Sequence, residues 1–175
     1  EVPFTRPKEL SGDETPALPM IIHAVEWMEL EEGFRADVIV LLQPTSPLRL
    51  SHHIDEAVQM LLDDPEADSV VSVTDVPHQY APSSVMISDG DRVISWMPQD
   101  EAHNLRQFKP KFLARNGAAI YAFRRECLSN KRSIFGDRIL GYRMSPEESI
   151  DVDSPLELKI CDMLLRERNS ARQAP

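Results

Sequence analysis

The sequence predicts an α/β domain whose central sheet is mostly parallel and is interrupted once by a small antiparallel insertion. Three observations carry that reading. Short, β-branched apolar runs at Asp37 to Leu42 and Ser69 to Thr74 read as strands buried on both faces, as in a parallel sheet. They alternate with stretches of helical periodicity, the order of βαβ units. From Val76 to Phe112 the alternation stops, and two short runs flank Ser88-Asp89-Gly90-Asp91, a strong hairpin signal.

The elements follow in order. Thr5 to Pro19 is polar and proline-rich and predicts a loop, after which Ile21, Val25 and Met28 recur at helical spacing up to Gly33. The Asp37 to Leu42 strand comes next. Ser51 can cap a helix whose Ile54, Ala57, Val58, Leu61 and Leu62 form one apolar stripe, ended by Asp63-Asp64-Pro65. After the Ser69 strand, Val85 to Ser88 and Val93 to Met97 are the arms of the predicted hairpin. Ala118 to Phe123 predicts another buried strand and Ile139 to Tyr142 a short one. Ser154, with Pro155 at the first position and Glu157 three residues after the cap, opens a last helix, and the tail from Asn169 reads as loose.

At 175 residues the chain suits one domain, long enough to bury about 70% of the surface an unfolded chain exposes. A formal net charge of -10 argues against a nucleic-acid partner, whose phosphates are bound through clustered Lys and Arg. No apolar run approaches a membrane span. Cys127 and Cys161 lack metal-type spacing and suggest no disulfide framework, which fits a reducing cytoplasm. The chain opens on Glu1-Val2-Pro3 with no initiator Met and no leader, so an upstream portion is expected. Its six glycines are scattered, and no Gly-rich phosphate cradle is visible.

Ligands of open α/β sheets bind beyond the carboxyl ends of the strands. Gln43, Thr45, Ser46 and Arg49, boxed by Pro44 and Pro47, follow the Asp37 strand at that point. Asp151 and Asp153 alternate with Ile150 and Val152, so in an extended segment both carboxylates can face one hard cation such as Mg²⁺. They can equally be idle acids near a helix N-terminus. In Arg115-Asn116-Gly117, the glycine permits close backbone approach and the amide can read a base or a sugar; an ordinary turn has the same composition. Arg106, Lys109, Lys111 and Arg115 can neutralise a carboxylate or phosphate, or form a solvated basic face. His78 reads as a ligand contact or a hydrogen-bonded loop residue, His52 and His53 as helix-start residues, and Trp27 and Trp96 as packing aromatics.

Three segments in this order, LLQPTSPLR at 41 to 49, RNGAAIY at 115 to 121 and SIDVDSPLEL at 149 to 158, resemble acylneuraminate cytidylyltransferases. The resemblance spans nearly the whole chain. It implies a three-layer nucleotide-binding domain, nucleotide-diphospho-sugar transferase-like, with residues 76–114 as a dimerisation insertion. The implied reaction takes CTP and a sialic-acid-like keto sugar acid, a nonulosonic acid, to the CMP-sugar and pyrophosphate, with Mg²⁺ as cofactor, in a cytoplasmic homodimer. It further implies that Gln43 contacts the sugar acid, that Arg49 supports the loop or an anionic group, and that Arg115, Asn116 and Gly117 lie along the cleft. Asp151 and Asp153 would bind the metal, and Arg6 and Thr15 would lie near the nucleotide. Arg106-Gln107 matches part of a family Arg-Arg-Gln segment in which Leu105 replaces the first Arg. Asp-Val-Asp replaces the commoner Asp-Ile-Asp, leaving both carboxylates in place.

The family's first strand and its Arg- and Gly-containing phosphate loop are expected upstream of Glu1, so the 175 residues alone are expected to transfer little or no CMP. Two other readings compete. One is another nucleotidyltransferase, such as one acting on Kdo; the other is a binding or dimerisation module without catalysis.

Overall fold

The computed structural model describes residues 3–12, 14–97 and 111–173. The chain forms two compact units, Glu1–Gln43 with Leu50–Val71 and Ile120–Tyr142, and Pro44–Arg49 with Ser72–Ala119 and Arg143–Pro175.

The first unit opens with helix α1, Ala17–Glu31, which begins two residues before Pro19 rather than after it. A proline in a first turn lacks only an N–H that has no intrahelical acceptor anyway, so the expected loop is shorter than the composition suggests. Strand β1, Val38–Leu41, and helix α2, Ser51–Asp63, follow. Helix α2 starts one residue earlier than a Ser51 cap implies: the Leu50 N–H donates to Nδ1 of buried His53 at 3.2 Å.

Strand β2 spans Ser69–Asp75, and β6, Tyr121–Arg124, runs antiparallel to both β1 and the first half of β2. Helix α3, Arg125–Lys131, ends in Arg132 in the left-handed conformation. Strand β7, Ile139–Arg143, pairs with β2. Ile21 of α1 packs with Phe123, Cys127 and Leu128 around the core of this unit, with Leu18, Ile22, Val25, Ile39 and Leu41 against them. Arg124 closes the C-terminus of α2, donating through Nη2 to the carbonyl of Leu61 at 2.8 Å and through Nε to that of Ala67 at 2.9 Å. Orphan carbonyls of a last helical turn need such donors.

The second unit holds the exposed hairpin of β3, Met86–Asp89, and β4, Arg92–Ser95, turned at Gly90 with φ +60°. Strand β5, Leu113–Arg115, runs antiparallel to residues 73–75 of β2. Helix α4, Pro155–Gln173, begins as expected: the Ser154 hydroxyl pairs with the Glu157 carboxylate and accepts the Leu156 N–H at 3.2 Å. It continues past Asn169, where a loose tail was expected, to Gln173.

The registered strand pairs are all antiparallel, against the expectation of a mostly parallel sheet. Strands β1 and β2 do run in the same direction, but β6 lies between them reversed. Backbone bonds from Asp68 N–H to the Arg138 carbonyl and from Met144 N–H to the Val73 carbonyl climb together along β2 and β7, so that pair is parallel. An apolar run reports burial, not direction, and β6 is as apolar as its neighbours. Burial on both faces also fits β2 and β6 better than β1, which is half-buried along its length.

Candidate functional site

Within the second unit, three loop segments that are far apart in the chain meet. The first is residues 44–49, where Pro44 and Pro47 restrict the backbone of a turn. The Thr45 carbonyl accepts the Val152 N–H at 2.8 Å, tying this turn to the segment before α4. Arg49 is half-buried and donates through Nη1 to the Ala119 carbonyl at 2.7 Å, tying it to residues 116–119; burial lowers the pKa of its guanidinium. The Leu48 carbonyl accepts from Arg168 of α4 at 3.3 Å.

The second segment leaves the strand ladder after Arg115. Gly117 at φ +67° and Ala118 at φ +55° are both left-handed, a conformation that glycine takes freely and alanine rarely. Residues 118–120 are buried but are not strand, which corrects the expected start of β6 from Ala118 to Tyr121. Asn116 is 4% exposed; its Nδ2 donates to Ser149 Oγ at 2.9 Å and to Met144 Sδ at 3.4 Å.

The third segment carries the carboxylates. A Cβ added at Gly117 would lie 1.8 Å from Asp151 Oδ2 and 2.1 Å from its Cγ, so glycine is required for the Asp151 carboxylate to sit on that turn. Asp151 Oδ1, Asn116 Oδ1, Thr45 Oγ1 and Ser46 Oγ are all buried with no hydrogen-bond partner. Buried polar atoms are rarely left so, and two of these, carboxylate and amide oxygens, can only accept. The arrangement can take up a hard cation or a donor-rich polar ligand.

Of the sequence-predicted residues, the structure brings Arg49, Asn116, Gly117 and Asp151 into this cluster. Asp153 lies two residues on and is exposed, and Arg115 is exposed on β5. Gln43 is exposed at the end of the first unit, immediately before Pro44. Arg6, exposed, and Thr15, partly exposed, belong to the first unit, and Arg106 lies outside the described residues. Ser149 and Met144, which hold the Asn116 amide, were not anticipated: Ser149 stood inside the third motif without a role, and nothing about Met144 sets it apart from a core residue.

No family model matches the chain. The chain is 29% identical over 171 residues to post-translational flagellin modification protein B of Campylobacter coli, covering 97% of this chain and 70% of that protein. It is 32% identical over 149 residues to an N-acylneuraminate cytidylyltransferase of Streptococcus agalactiae serotype V, covering 85% of this chain and 34% of that protein. It is 30% identical over 169 residues to an N-acylneuraminate cytidylyltransferase of Escherichia coli O18:K1:H7, covering 94% and 37%. The chain thus spans about a third of the length of these two cytidylyltransferases. Among solved structures, CMP:2-keto-3-deoxy-manno-octonic acid synthetase complexed with CTP matches with a TM-score of 0.56 at 19% identity, over 89% of this chain and 70% of that one. That likeness establishes the α/β fold. By sequence this chain is similar to N-acylneuraminate cytidylyltransferases, the family its three motifs resemble.

Proposed function

We propose that this chain is part of a cytidylyltransferase that transfers CMP from CTP to the anomeric hydroxyl of a sialic-acid-like keto sugar acid. The hydroxyl oxygen forms the new bond to the α-phosphorus as its proton passes to water, the bond from that phosphorus to the α,β-bridging oxygen breaks, and pyrophosphate leaves. The observation that carries this reading is the pair of buried, donor-less oxygens of Asp151 and Asn116, set against Gly117 inside the three motif segments.

Phosphoryl transfer of this kind is lowered mainly by positioning and by neutralising phosphate charge. Asp151, with Asp153 two residues on, would hold Mg²⁺, which when bound would neutralise charge on the triphosphate. The remaining residues position. Arg49 holds the 44–49 turn against the Ala119 carbonyl, and Gly117 lets the Asp151 carboxylate approach the turn. Gln43 would contact the sugar acid, Arg115 and Arg106 its carboxylate or a phosphate, and Arg6 and Thr15 the nucleotide.

A homodimer forms part of the proposal. Val93, Trp96, Met86 and Ile94 on the hairpin are 66%, 62%, 49% and 48% exposed. A two-stranded hairpin is marginally stable alone in water, so a second copy covering both apolar faces would account for the composition. The charge of -10 supports the expectation of no nucleic-acid partner, and no helix of the described residues is long and apolar enough to cross a membrane.

The likeness to a CTP-complexed octonic acid synthetase favours a second reading, in which the acceptor is a shorter keto sugar acid. A CMP-transfer assay of the full-length protein with CTP, Mg²⁺ and a panel of keto sugar acids separates the two. Turnover of nonulosonic acids alone supports the first, turnover of the octonic acid alone the second, and no turnover of any acid with a folded protein overturns both.

A further inference from the structure

We infer that Asn116 supplies a neutral oxygen ligand, through Oδ1, to the cation held by Asp151. This rests on the cytidylyltransferase reading only for the identity of that cation as Mg²⁺. The orientation of the amide is settled by its partners. Its nitrogen lies 3.4 Å from Met144 Sδ and 2.9 Å from Ser149 Oγ. A thioether sulfur has no hydrogen and can only accept, so the NH₂ group faces it and both of its hydrogens are engaged. Oδ1 therefore faces away from these groups, buried and without a donor. The next residue, Gly117, touches the Asp151 carboxylate, whose Oδ1 is equally without a donor. Two oxygens that can only accept, one on Asp151 and one on the residue preceding the glycine it packs against, are both buried without a positive partner. Among the described residues no three His, Cys, Asp or Glu side chains group to hold a metal. A hard cation bound here would draw on the neutral Asn116 oxygen as well as on the Asp151 carboxylate, and six-coordinate Mg²⁺ accepts such a mixed oxygen set.

The test uses Mn²⁺ as a paramagnetic substitute in the full-length protein labelled with ¹³C at the asparagine side-chain carbonyl. Pulsed electron-nuclear double resonance should show a ¹³C coupling of a directly ligated carbonyl in the unmutated protein, lost in Asn116→Asp when only asparagine is labelled. Mn²⁺ titrations should show affinity reduced about tenfold in Asn116→Leu, held or raised in Asn116→Asp, and reduced more than a hundredfold in Asp151→Asn. Absence of the ¹³C coupling, with Mn²⁺ bound and Asp151→Asn still impaired, overturns the Asn116 assignment and leaves the metal site standing. Unaltered Mn²⁺ binding in Asp151→Asn overturns the metal site itself, and Asn116 with it.

Discussion

The Gly117 α-carbon is packed directly on the Asp151 carboxylate, with no room for a β-carbon between them. Residues 34 apart in the chain are thereby fixed against each other, one in a left-handed turn that leaves a strand, the other in the segment that enters the last helix. The contact joins two of the three motifs, and the bonds from Val152 to Thr45 and from Arg49 to Ala119 bring in the third.

Gly117→Ala should therefore damage both stability and the site. A left-handed backbone costs an alanine about 1–2 kcal/mol, and the carboxylate must move as well. Thermal unfolding should show a lower midpoint, and Mn²⁺ titration a weaker site; a variant that melts and binds like the parent would contradict the contact.

Arg49→Ala should separate the 44–49 turn from residues 116–119. Losing a charged donor to a buried carbonyl costs about 2 kcal/mol, which for a domain of this size lowers the melting midpoint by roughly 4–8 °C. Arg49→Lys should recover only part of the loss, because one ammonium cannot reproduce the planar fork. Differential scanning calorimetry of the three proteins checks the order.

In the first unit, Asp68 accepts from Lys131 at 2.8 Å and from the Asp137 and Arg138 N–H groups at 2.7 and 2.9 Å, and its pKa falls to about 2, chiefly through Lys131. Its folded pKa lies below the unfolded value of about 3.9, so its contribution is complete above pH 4 and is lost as pH falls toward 2. Asp68→Asn should lower the melting midpoint at pH 7, with the difference from the parent shrinking between pH 4 and pH 2. A difference that does not change with pH would contradict the assignment.

The hairpin prediction concerns assembly. Trp96→Glu and Val93→Lys, at positions 62% and 66% exposed, should leave the fold intact and cost little within one chain. Sedimentation equilibrium should show a dimer for the parent and a monomer for the double variant. A parent that is already monomeric would remove the hairpin interface from the account.

Helix starts and the hairpin were legible in the sequence because their signals were local. Ser154, Pro155 and Glu157 specify a helix start through bonds within one turn, and Asp89-Gly90 specifies a hairpin through backbone conformation. Strand direction was not legible: Tyr121 to Phe123 are as apolar and buried as Val70 and Val71, yet run the opposite way. The packing of Gly117 on Asp151 was legible only through the order of motifs, since neither spacing nor composition reports a contact made across 34 residues. The roles of Met144 and Ser149 were not legible at all, because orienting an amide requires atoms whose approach only the fold decides.

The central proposal is that the Asp151, Gly117 and Asn116 cluster forms a metal-dependent nucleotide site. It is tested most directly by calorimetric titration of CTP into the full-length protein with and without Mg²⁺, for the parent and for Asp151→Asn. The account predicts Mg²⁺-dependent CTP binding in the parent and at least a tenfold weaker affinity in the variant, with both proteins folded. Equal, Mg²⁺-dependent CTP binding by the two would contradict it.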